Sequence, residues 1–227
     1  RVLISGASGL VGTELRAQLK EAGHEPVSLV RRPAFDDTEV EWHPELGFIT
    51  EGAMENIDAV VNLAGATTGR LPWTKSYKKL LISSRLDSTR TLVEAIRTAK
   101  KKPKVLISGS ASGFYGDTGN ESKSESAPKG TGFLSDLAAA WEQEALKAQS
   151  LTRVVLIRTT LVMSRKLGAL GRLLPLVKLG VGGPLGPGKQ WWAFISLRDE
   201  ARAIIHLINN TDASGAFNLT APESATC

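Results

Sequence analysis

Three glycines lie between a short apolar run and an amphipathic segment near the start of the chain. Residues 5 to 12 read Ser-Gly-Ala-Ser-Gly-Leu-Val-Gly, which places Gly6, Gly9 and Gly12 at equal spacing. The apolar run predicts a strand, and the 3.6-residue apolar period after the glycines predicts a helix. In such a unit the first glycine permits a tight turn, the second lets the backbone approach a pyrophosphate, and the third lets the helix pack closely on the sheet. The loop therefore predicts a dinucleotide site; the alternative is a glycine-rich turn without a ligand.

The positive end of the predicted helix adds to this interpretation. Its free amides are expected to face the phosphates of a dinucleotide, because the first turn of a helix leaves its N–H groups without partners. The predicted cofactor contacts in this loop are Gly6, Ser8, Gly9, Leu10, Val11 and Gly12.

The residues at the end of the second predicted strand indicate whether the adenosine ribose of the cofactor carries a 2′-hydroxyl or a 2′-phosphate. An acid about 20 residues after the glycine loop usually accepts a hydrogen bond from the ribose 2′-hydroxyl. This chain reads Val30-Arg31-Arg32 at that place. Two guanidinium groups and no carboxylate favour a 2′-phosphate, and hence NADP(H) over NAD(H). The alternative is that Arg31 and Arg32 are ordinary solvent-exposed residues.

Predicted strands and helices alternate along the whole chain, without an internal repeat or a low-complexity linker. This alternation predicts an α/β fold with a Rossmann-like, doubly wound parallel sheet and helices on both faces. Strands are predicted at Val2–Ser5, Pro26–Val30, Ile57–Leu63, Val105–Ser108, Arg153–Arg158 and Ala216–Leu219, with one or two short strands within Val40–Ile49. Helices are predicted at Leu10–Glu21, Leu80–Ala99, Phe133–Ala148, Ala169–Leu179 and Leu197–Asn209.

The composition argues against a disulfide-stabilised protein, a metalloenzyme and a nucleic-acid-binding protein. The 227 residues contain one cysteine, Cys227, and three scattered histidines, so the sequence offers neither an intrachain disulfide nor the ligand spacing of a metal site. A reducing, cytoplasmic setting is the default expectation. The formal net charge is +5, but the basic residues are dispersed and no aromatic residues accompany them, which argues against nucleic-acid binding.

No membrane span is expected either. The apolar stretch from Leu170 to Leu185 is interrupted by Arg172, Pro175 and Lys178. We also expect no signal peptide, because Val2 already belongs to the first strand. The expected partner is a small-molecule substrate whose identity the sequence leaves open, as it does the oligomeric state.

Several segments together resemble the extended short-chain dehydrogenase/reductase family. They are the glycine loop, Arg31-Arg32, Asn62-Leu63-Ala64-Gly65, Ser84-Arg85, Ser108-Gly-Ser-Ala-Ser-Gly-Phe-Tyr-Gly116, Asp136 to Glu142, Arg158-Thr159, and Gly182 to Gly188 leading to Trp191-Trp192. More narrowly, essentially the whole chain resembles an atypical branch described as epimerase-family or nucleoside-diphosphate-sugar epimerase-like, some members of which carry an old cell-division-inhibitor label.

The resemblance implies roles for residues outside the glycine loop. Leu63, Ala64 and Gly65 would line the adenosine and ribose side of the cofactor, with Arg85 near them. Ser108 would lie near the nicotinamide ribose. Thr160 and Leu161 would lie near the nicotinamide.

One element of the family pattern is missing. Members of the family carry a Tyr-x-x-x-Lys pair on the helix after the serine-containing strand, where the lysine assists proton transfer by the tyrosine. Here Tyr77 is followed four residues later by Leu81, and Tyr115 by Gly119. The corresponding helix positions are Phe133 and Leu137, or Leu134 and Ala138. The standard proton-transfer pair is therefore absent.

Tyr115 and two serines are the remaining candidates for chemistry. Tyr115 lies just after the predicted strand Val105–Ser108, at the edge of the sheet where ligands bind in doubly wound folds, and Ser110 flanks the same turn. We identify Tyr115 and Ser110 as candidate catalytic residues. Ser112 and the pair Trp191-Trp192 are candidate substrate contacts. The alternatives are that Tyr115 only shapes the pocket wall and that the two tryptophans are a core pair.

Other conspicuous residues have structural interpretations. Trp141 is expected to be a buried helix anchor beside a solvated acid, Glu142. His206 is expected to pack within an apolar helix face, and Asp199-Glu200 is expected to be an acidic pair in the first turn of a helix.

The domain organisation follows from the element order. Residues 1–160 are predicted to form an NADP-binding Rossmann core, and residues 161–227 part of a substrate-binding region interleaved with the last core elements. A strand end near Asn218 is expected to be followed by the start of a helix, as in a chain that continues. The sequence thus predicts an NADP(H)-binding oxidoreductase or epimerase-like enzyme; the alternative is a non-catalytic NADP(H)-binding sensor or interaction protein.

Overall fold

An eight-stranded sheet forms the centre of the molecule. The computed structural model describes residues 1–165, 168–181, 183 and 188–226. The strands of the described residues are β1 (Val2–Ser5), β2 (Pro26–Val30), β3 (Glu39–His43), β4 (Phe48–Ile49), β5 (Ala59–Asn62), β6 (Val105–Ala111), β7 (Arg153–Thr159), β8 (Leu161–Met163), β9 (Trp191–Trp192), β10 (Phe194–Ser196), β11 (Gly215–Leu219) and β12 (Ala225–Thr226). Strands β8 and β10 form a separate pair outside the central sheet, as do β9 and β12. The helices are α1 (Leu10–Glu21), α2 (Lys75–Thr98), α3 (Phe133–Leu146), α4 (Gly168–Lys178) and α5 (Leu197–Asn209).

The strand order creates a cleft at one edge of the sheet. The order is β11-β7-β6-β5-β1-β2-β3-β4, and every pairing is parallel except that of β3 with β4. The chain moves outward in one direction from β1 to β4 and in the other from β5 to β11. A topological switch point therefore lies between β1 and β5, and ligands of open α/β sheets bind outside the carboxyl ends of the strands at such a point.

Alternate residues of the central strands face opposite cores. Ile4 belongs to the apolar cluster that includes residues of α1 and α5, whereas its neighbour Leu3 belongs to the cluster that includes residues of α2 and α3. Strand β6 divides in the same way at Ile107 and Leu106. Helices thus cover both faces, because a strand places successive side chains on opposite sides. The predicted doubly wound α/β fold is confirmed.

Some element bounds differ from the predictions. Helix α2 begins at Lys75, because the Thr74 side chain caps it by accepting a hydrogen bond from the Tyr77 amide at 3.2 Å. Strand β6 continues to Ala111, which is paired with Thr159 of β7.

The predicted helix start after Asn218 is wrong. Residues Ala225–Thr226 instead form an antiparallel pair with Trp191–Trp192, and no helix begins within residues 220–226. Pairing with β9 gives this segment backbone partners that local sequence could not indicate. No helix in the described part of the chain has both the length and the apolar character needed to cross a bilayer.

Candidate functional site

The glycine loop forms a turn with no room for side chains between β1 and α1. Gly6 has φ +67°, and a Cβ there would lie 2.8 Å from the Leu63 carbonyl oxygen. A Cβ on Gly12 would lie 2.3 Å from the Gly6 carbonyl oxygen. The Gly9 amide donates to that same oxygen at 2.9 Å and closes the turn. Gly6 and Gly12 therefore each have a steric reason to be glycine.

The first turn of α1 is open to an anion. Gly9 is the N-cap residue and supplies no side-chain cap, and the first turn contains no acidic residue. Ser8 and Gly9 are exposed. The amides of residues 10 to 12 have no carbonyl partner one turn back. This end of the helix thus offers unpaired N–H donors and a positive dipole at the switch point, which fits a pyrophosphate.

A buried hydrogen-bond network supports the second wall of the cleft. The Ser5 hydroxyl donates to Asn62 Oδ1 at 2.6 Å and accepts from the amides of Leu63 and Ala64, both at 3.1 Å. Asn62 Nδ2 and the Trp141 indole N–H both donate to the Thr89 hydroxyl at 2.9 Å. The network connects the loop after β5 to α2 and α3. It therefore stabilises the backbone of Leu63 and Ala64 on the side away from the cofactor site.

Arg85 lies against the same loop. A Cβ on Gly65 would come within 3.1 Å of Arg85 Cζ, which explains the glycine at this point. Arg85 Nη1 donates to the carbonyls of Ala66 and Leu81, each at 3.1 Å. Burial lowers the pKa of this guanidinium, and no described carboxylate forms an ion pair with it. It remains a positive charge beside the predicted adenosine wall.

The ribose end of the site contains a carboxylate that the sequence did not reveal. Arg31 is exposed, whereas Arg32 donates to Glu39 through Nη1 at 2.6 Å and through Nη2 at 2.7 Å. Glu39 begins β3, the strand next to β2. The Arg32 hydrogen bonds, together with one from the Phe35 amide, lower the pKa of Glu39 to about 2. A carboxylate from the neighbouring strand β3 thus lies beside Arg32, although none follows β2 in the sequence.

Of the predicted nicotinamide residues, Ser108 lies in the middle of β6, Thr160 directly follows β7, and Leu161 begins β8. Ser108 is fully buried and is paired in register with Asn62 and Leu156. The Thr160 hydroxyl donates to the Leu219 carbonyl at 2.7 Å, and the Leu161 amide donates to the Ala193 carbonyl at 3.2 Å. These contacts fix the backbone after β7 at the carboxyl edge of the sheet.

Arg158 lies at the centre of a cluster of polar residues on the α3 side of the sheet, at the carboxyl end of β7. It donates to Glu142 through Nε at 2.8 Å and through Nη2 at 2.9 Å. Its Nη1 donates to the Tyr115 hydroxyl at 2.8 Å, and its guanidinium carbon lies 3.6 Å from the Phe114 ring centre. Burial opposes its charge, but the bonds to Glu142 and Tyr115 prevail and raise the pKa of Arg158.

Glu142 is therefore a buried ion-pair partner, and the prediction of a solvated acid is wrong. Only 6% of Glu142 is exposed, because its position on α3 faces the sheet directly above Arg158. Trp141 beside it is buried, as predicted. The missed signal was Arg158 itself, since an arginine that directly follows four apolar strand residues needs a buried acid.

Both candidate catalytic residues belong to this cluster. The Ser110 hydroxyl donates to Glu142 Oε1 at 2.6 Å. The Tyr115 hydroxyl accepts from Arg158 and donates to Asn218 Oδ1 at 2.7 Å. The structure thus brings Ser110 and Tyr115 to one place, with both hydroxyls already hydrogen-bonded to protein. Their catalytic role stays a prediction.

A second buried carboxylate lies on the opposite face of β7. Glu200 is 1% exposed; its Oε1 accepts from the Thr159 hydroxyl at 2.6 Å, and its Oε2 has no hydrogen-bond partner among the described residues. Burial raises the pKa of Glu200 to about 7. Asp199 is exposed and accepts from Ser196, as expected of a first-turn acid. The predicted acidic pair in the first turn of α5 is confirmed, and Glu200 is in addition buried. The prediction that His206 packs within an apolar helix face is wrong, because His206 is exposed.

The candidate substrate residues lie apart from the glycine loop. Ser112 begins a 3₁₀ turn that ends at Tyr115. Trp191 is 50% exposed, so the alternative of a core pair does not hold for it. Its indole N–H donates to Asn120 Oδ1 at 2.8 Å, which ties β9 to the loop after Tyr115. Among the described residues, no group of three or more His, Cys, Asp or Glu side chains is arranged to hold a metal ion.

Comparison with known proteins identifies the family. The family model described as the NAD dependent epimerase/dehydratase family matches residues 2–220. This chain belongs to that epimerase/dehydratase family. The match covers the glycine loop, the ends of all eight sheet strands and the Arg158 cluster.

Relatives within the epimerase/dehydratase family include bacterial proteins of similar sequence. An epimerase family protein of Mycobacterium leprae is 39% identical over 226 residues, which cover 99% of this chain and 73% of the relative. One from Staphylococcus aureus is 39% identical over 228 residues and covers 97% of this chain and 74% of the relative. Both matches extend through nearly the whole chain.

Solved structures of epimerase proteins have the same fold. A human epimerase family protein crystallised with NADPH superposes with a TM-score of 0.91 at 32% identity, over 100% of this chain and 76% of that one. A nucleoside-diphosphate sugar epimerase from Corynebacterium glutamicum superposes with a TM-score of 0.86 at 32% identity, over 99% of this chain and 47% of that one.

In this member of the epimerase/dehydratase family, apolar residues occupy the helix where the resemblance implies a Tyr-x-x-x-Lys pair. Leu134 is 39% exposed and packs near Gly113, whereas Ala138 is buried against the sheet. Phe133 stacks on Trp73 with ring centres 5.9 Å apart. No titratable side chain stands at these positions of α3.

Proposed function

We propose that this chain binds NADP(H) across the carboxyl ends of β1 and β5 and acts as a nucleotide-sugar epimerase-like oxidoreductase. The observation that carries the proposal is the glycine turn, in which the uncapped, acid-free N-terminus of α1 faces the switch point of the sheet. The human relative crystallised with NADPH supports the same cofactor class.

The residues present fit a dinucleotide from end to end. The amides at residues 10 to 12 would hold the pyrophosphate, and Arg31 and Arg32 would contact the 2′-phosphate. Leu63, Ala64, Gly65 and Arg85 would line the adenosine side, and Ser108, Thr160 and Leu161 the nicotinamide side. When bound, the cofactor supplies a hydride donor or acceptor beside the ends of β6 and β7.

The substrate would lie over the Arg158 cluster. Tyr115 is the proposed proton donor, and Arg158 is the cation that remains beside its oxygen when the proton has left. Ser110 would orient a substrate carbonyl or hydroxyl, and Ser112, Trp191 and Trp192 would contact the rest of the molecule. The half-exposed indole of Trp191 offers a stacking surface for a planar or sugar ring.

Nucleotide binding tests the first half of the proposal. Titration of the purified chain with NADPH, followed by nucleotide fluorescence, should give saturable binding. Gly9→Ala should weaken this binding at least tenfold, because its methyl group would occupy the approach of the pyrophosphate. Alanine can adopt the φ of Gly9, −73°, but its Cβ would lie 3.1 Å from the Gly6 carbonyl oxygen, so the unfolding temperature of the variant is measured as the control for folding. A wild-type chain that binds neither NADPH nor NADH would refute the proposal.

The apolar helix positions Leu134 and Ala138 favour a second candidate, an NADP(H)-binding protein without turnover. The two functions are separated by transfer of deuterium from 4-deuterated NADPH to a panel of carbonyl compounds and nucleotide sugars. Transfer that is lost in Tyr115→Phe, while the affinity for NADPH is retained, supports the enzyme. Binding without transfer to any compound supports the second candidate.

A further inference from the structure

The Arg32–Glu39 pair occupies the position where a 2′-phosphate would be recognised. The Glu39 carboxylate accepts one hydrogen bond from each terminal nitrogen of Arg32, and Arg32 Nη1 also donates to the Pro33 carbonyl at 2.9 Å. The guanidinium plane rests 4.0 Å from the Phe35 ring centre. Glu39 therefore holds the fork of Arg32 in the two-point geometry that a phosphate would use.

Glu39 has partners that would remain if Arg32 turned away. The Phe35 amide donates to Glu39 Oε2 at 3.1 Å. Arg16 of α1 lies near enough for its charge to lower the pKa of Glu39 further, and its Nε is buried without a hydrogen-bond partner in the described part of the chain. Arg32 can thus exchange a carboxylate for a phosphate while Glu39 keeps an amide and a neighbouring cation.

We propose that Glu39 is a specificity-determining residue that weakens the preference of this site for NADP(H) over NAD(H). A nucleotide with a 2′-phosphate must displace Glu39 from Arg32 and must approach a second negative charge. A nucleotide with a 2′-hydroxyl leaves the pair intact, because it brings no anion to that place. The inference rests on the proposed function and deepens it by assigning control of cofactor choice to an acid on β3.

The size of the effect follows from the exposure of the pair. The Arg32 and Glu39 side chains are 42% and 18% exposed, so the pair is partly screened by solvent. An ion pair of this kind corresponds to about a fivefold change in affinity. Glu39→Gln should therefore tighten NADPH binding about fivefold and leave NADH binding unchanged.

The control residue is an acid that pairs with an arginine at the opposite end of β2, the strand that Arg32 follows. Glu25 precedes β2 and pairs with Arg1 at 3.5 Å, at the amino edge of the sheet and away from the cleft. Glu25→Gln changes the net charge by the same amount as Glu39→Gln. It should leave the affinities for both nucleotides unchanged, so a general charge effect would appear in both variants.

Dissociation constants for NADPH, NADH and 2′,5′-ADP should be measured by calorimetry for the wild type, Glu39→Gln, Arg32→Ala and the double variant. The gain for NADPH and 2′,5′-ADP should disappear in the Arg32→Ala background, because Glu39 acts through Arg32. Glu39→Asp, which is too short for the two-point contact, should give a smaller gain and remains informative if Glu39→Gln unfolds.

Each result has one meaning. Equal or weaker NADPH binding in Glu39→Gln, with wild-type binding intact, overturns this inference alone, and weaker binding would show that Glu39 orients Arg32 for the phosphate. A gain for NADH equal to that for NADPH also overturns it. Absence of binding by the wild type to any of the three ligands overturns the proposed function as well.

Discussion

Glu200→Gln should remove a pH dependence of folding that originates in one buried side chain. Glu200 is enclosed between α5 and the sheet, and the one hydrogen-bond donor to it among the described residues is the Thr159 hydroxyl. Burial raises its pKa from 4.5 to about 7 in the folded protein. Glutamine keeps the shape and an oxygen acceptor for Thr159, but it cannot ionise.

The sign and size follow from proton linkage. Below pH 4.5 the carboxyl is protonated in both the folded and the unfolded chain and contributes no difference. Between pH 4.5 and 7 the unfolded chain releases the proton while the folded chain retains it, so the free energy of unfolding decreases as pH rises. The shift to about 7 corresponds to about 3 kcal/mol, so above pH 7 the free energy of unfolding is lower by that amount than below pH 4.5.

The assay is urea unfolding at half-unit steps from pH 4.5 to pH 8. The stability of Glu200→Gln relative to wild type should rise by about 3 kcal/mol across that range. Glu94→Gln, which alters an exposed acid of α2, is the control and should follow the wild-type curve. Parallel curves for wild type and Glu200→Gln would refute the reasoning, since they would mean that Glu200 ionises equally in both states.

Three further substitutions test the site. Gly12→Ala should abolish NADPH binding and lower the unfolding temperature, because its Cβ would lie 2.3 Å from the Gly6 carbonyl oxygen; binding at wild-type affinity would contradict the close contact. Glu142→Gln should destabilise the chain by about 3–5 kcal/mol in chemical unfolding, because it leaves Arg158 buried with an uncompensated charge, and a change below 1 kcal/mol would contradict the buried pair. Ser5→Ala should cost about 1–3 kcal/mol and weaken NADPH binding, since the Ala64 amide loses its acceptor and Asn62 Oδ1 loses a donor; calorimetry and urea unfolding would show whether either effect is missing.

Local patterns were sufficient for most of the fold. The apolar periods of α1, β2 and α5 predicted their bounds as the structure has them, because each element buries one face or stripe that repeats along its own sequence. The glycine loop was predictable for the same reason, since strand, turn and helix are adjacent in the chain. Helix α2 began earlier than its apolar period because the Thr74 cap lies outside that period.

The polar contacts of the site depend on residues that are distant in sequence. Glu142 and Arg158 are 16 positions apart and meet only when α3 packs on β7. Glu39 meets Arg32 only because β3 pairs with β2 in parallel. A carboxylate on a helix or strand looks solvated until its packing partner is known. The sequence therefore identified the cofactor loop, whereas the charges that tune the site required the tertiary structure.

The alternation of polar residues at the end of β7 has a consequence for folding. Arg158 faces Glu142 on one side of the sheet, and Thr159 faces Glu200 on the other. A slip of this strand by one residue would exchange the two faces, placing the guanidinium under α5 and leaving Glu142 without a counter-charge. Because an unpaired buried charge costs about 3–5 kcal/mol, these two adjacent residues penalise the misaligned strand before any apolar contact is considered. The end of β7 thus selects the correct strand pairing during folding.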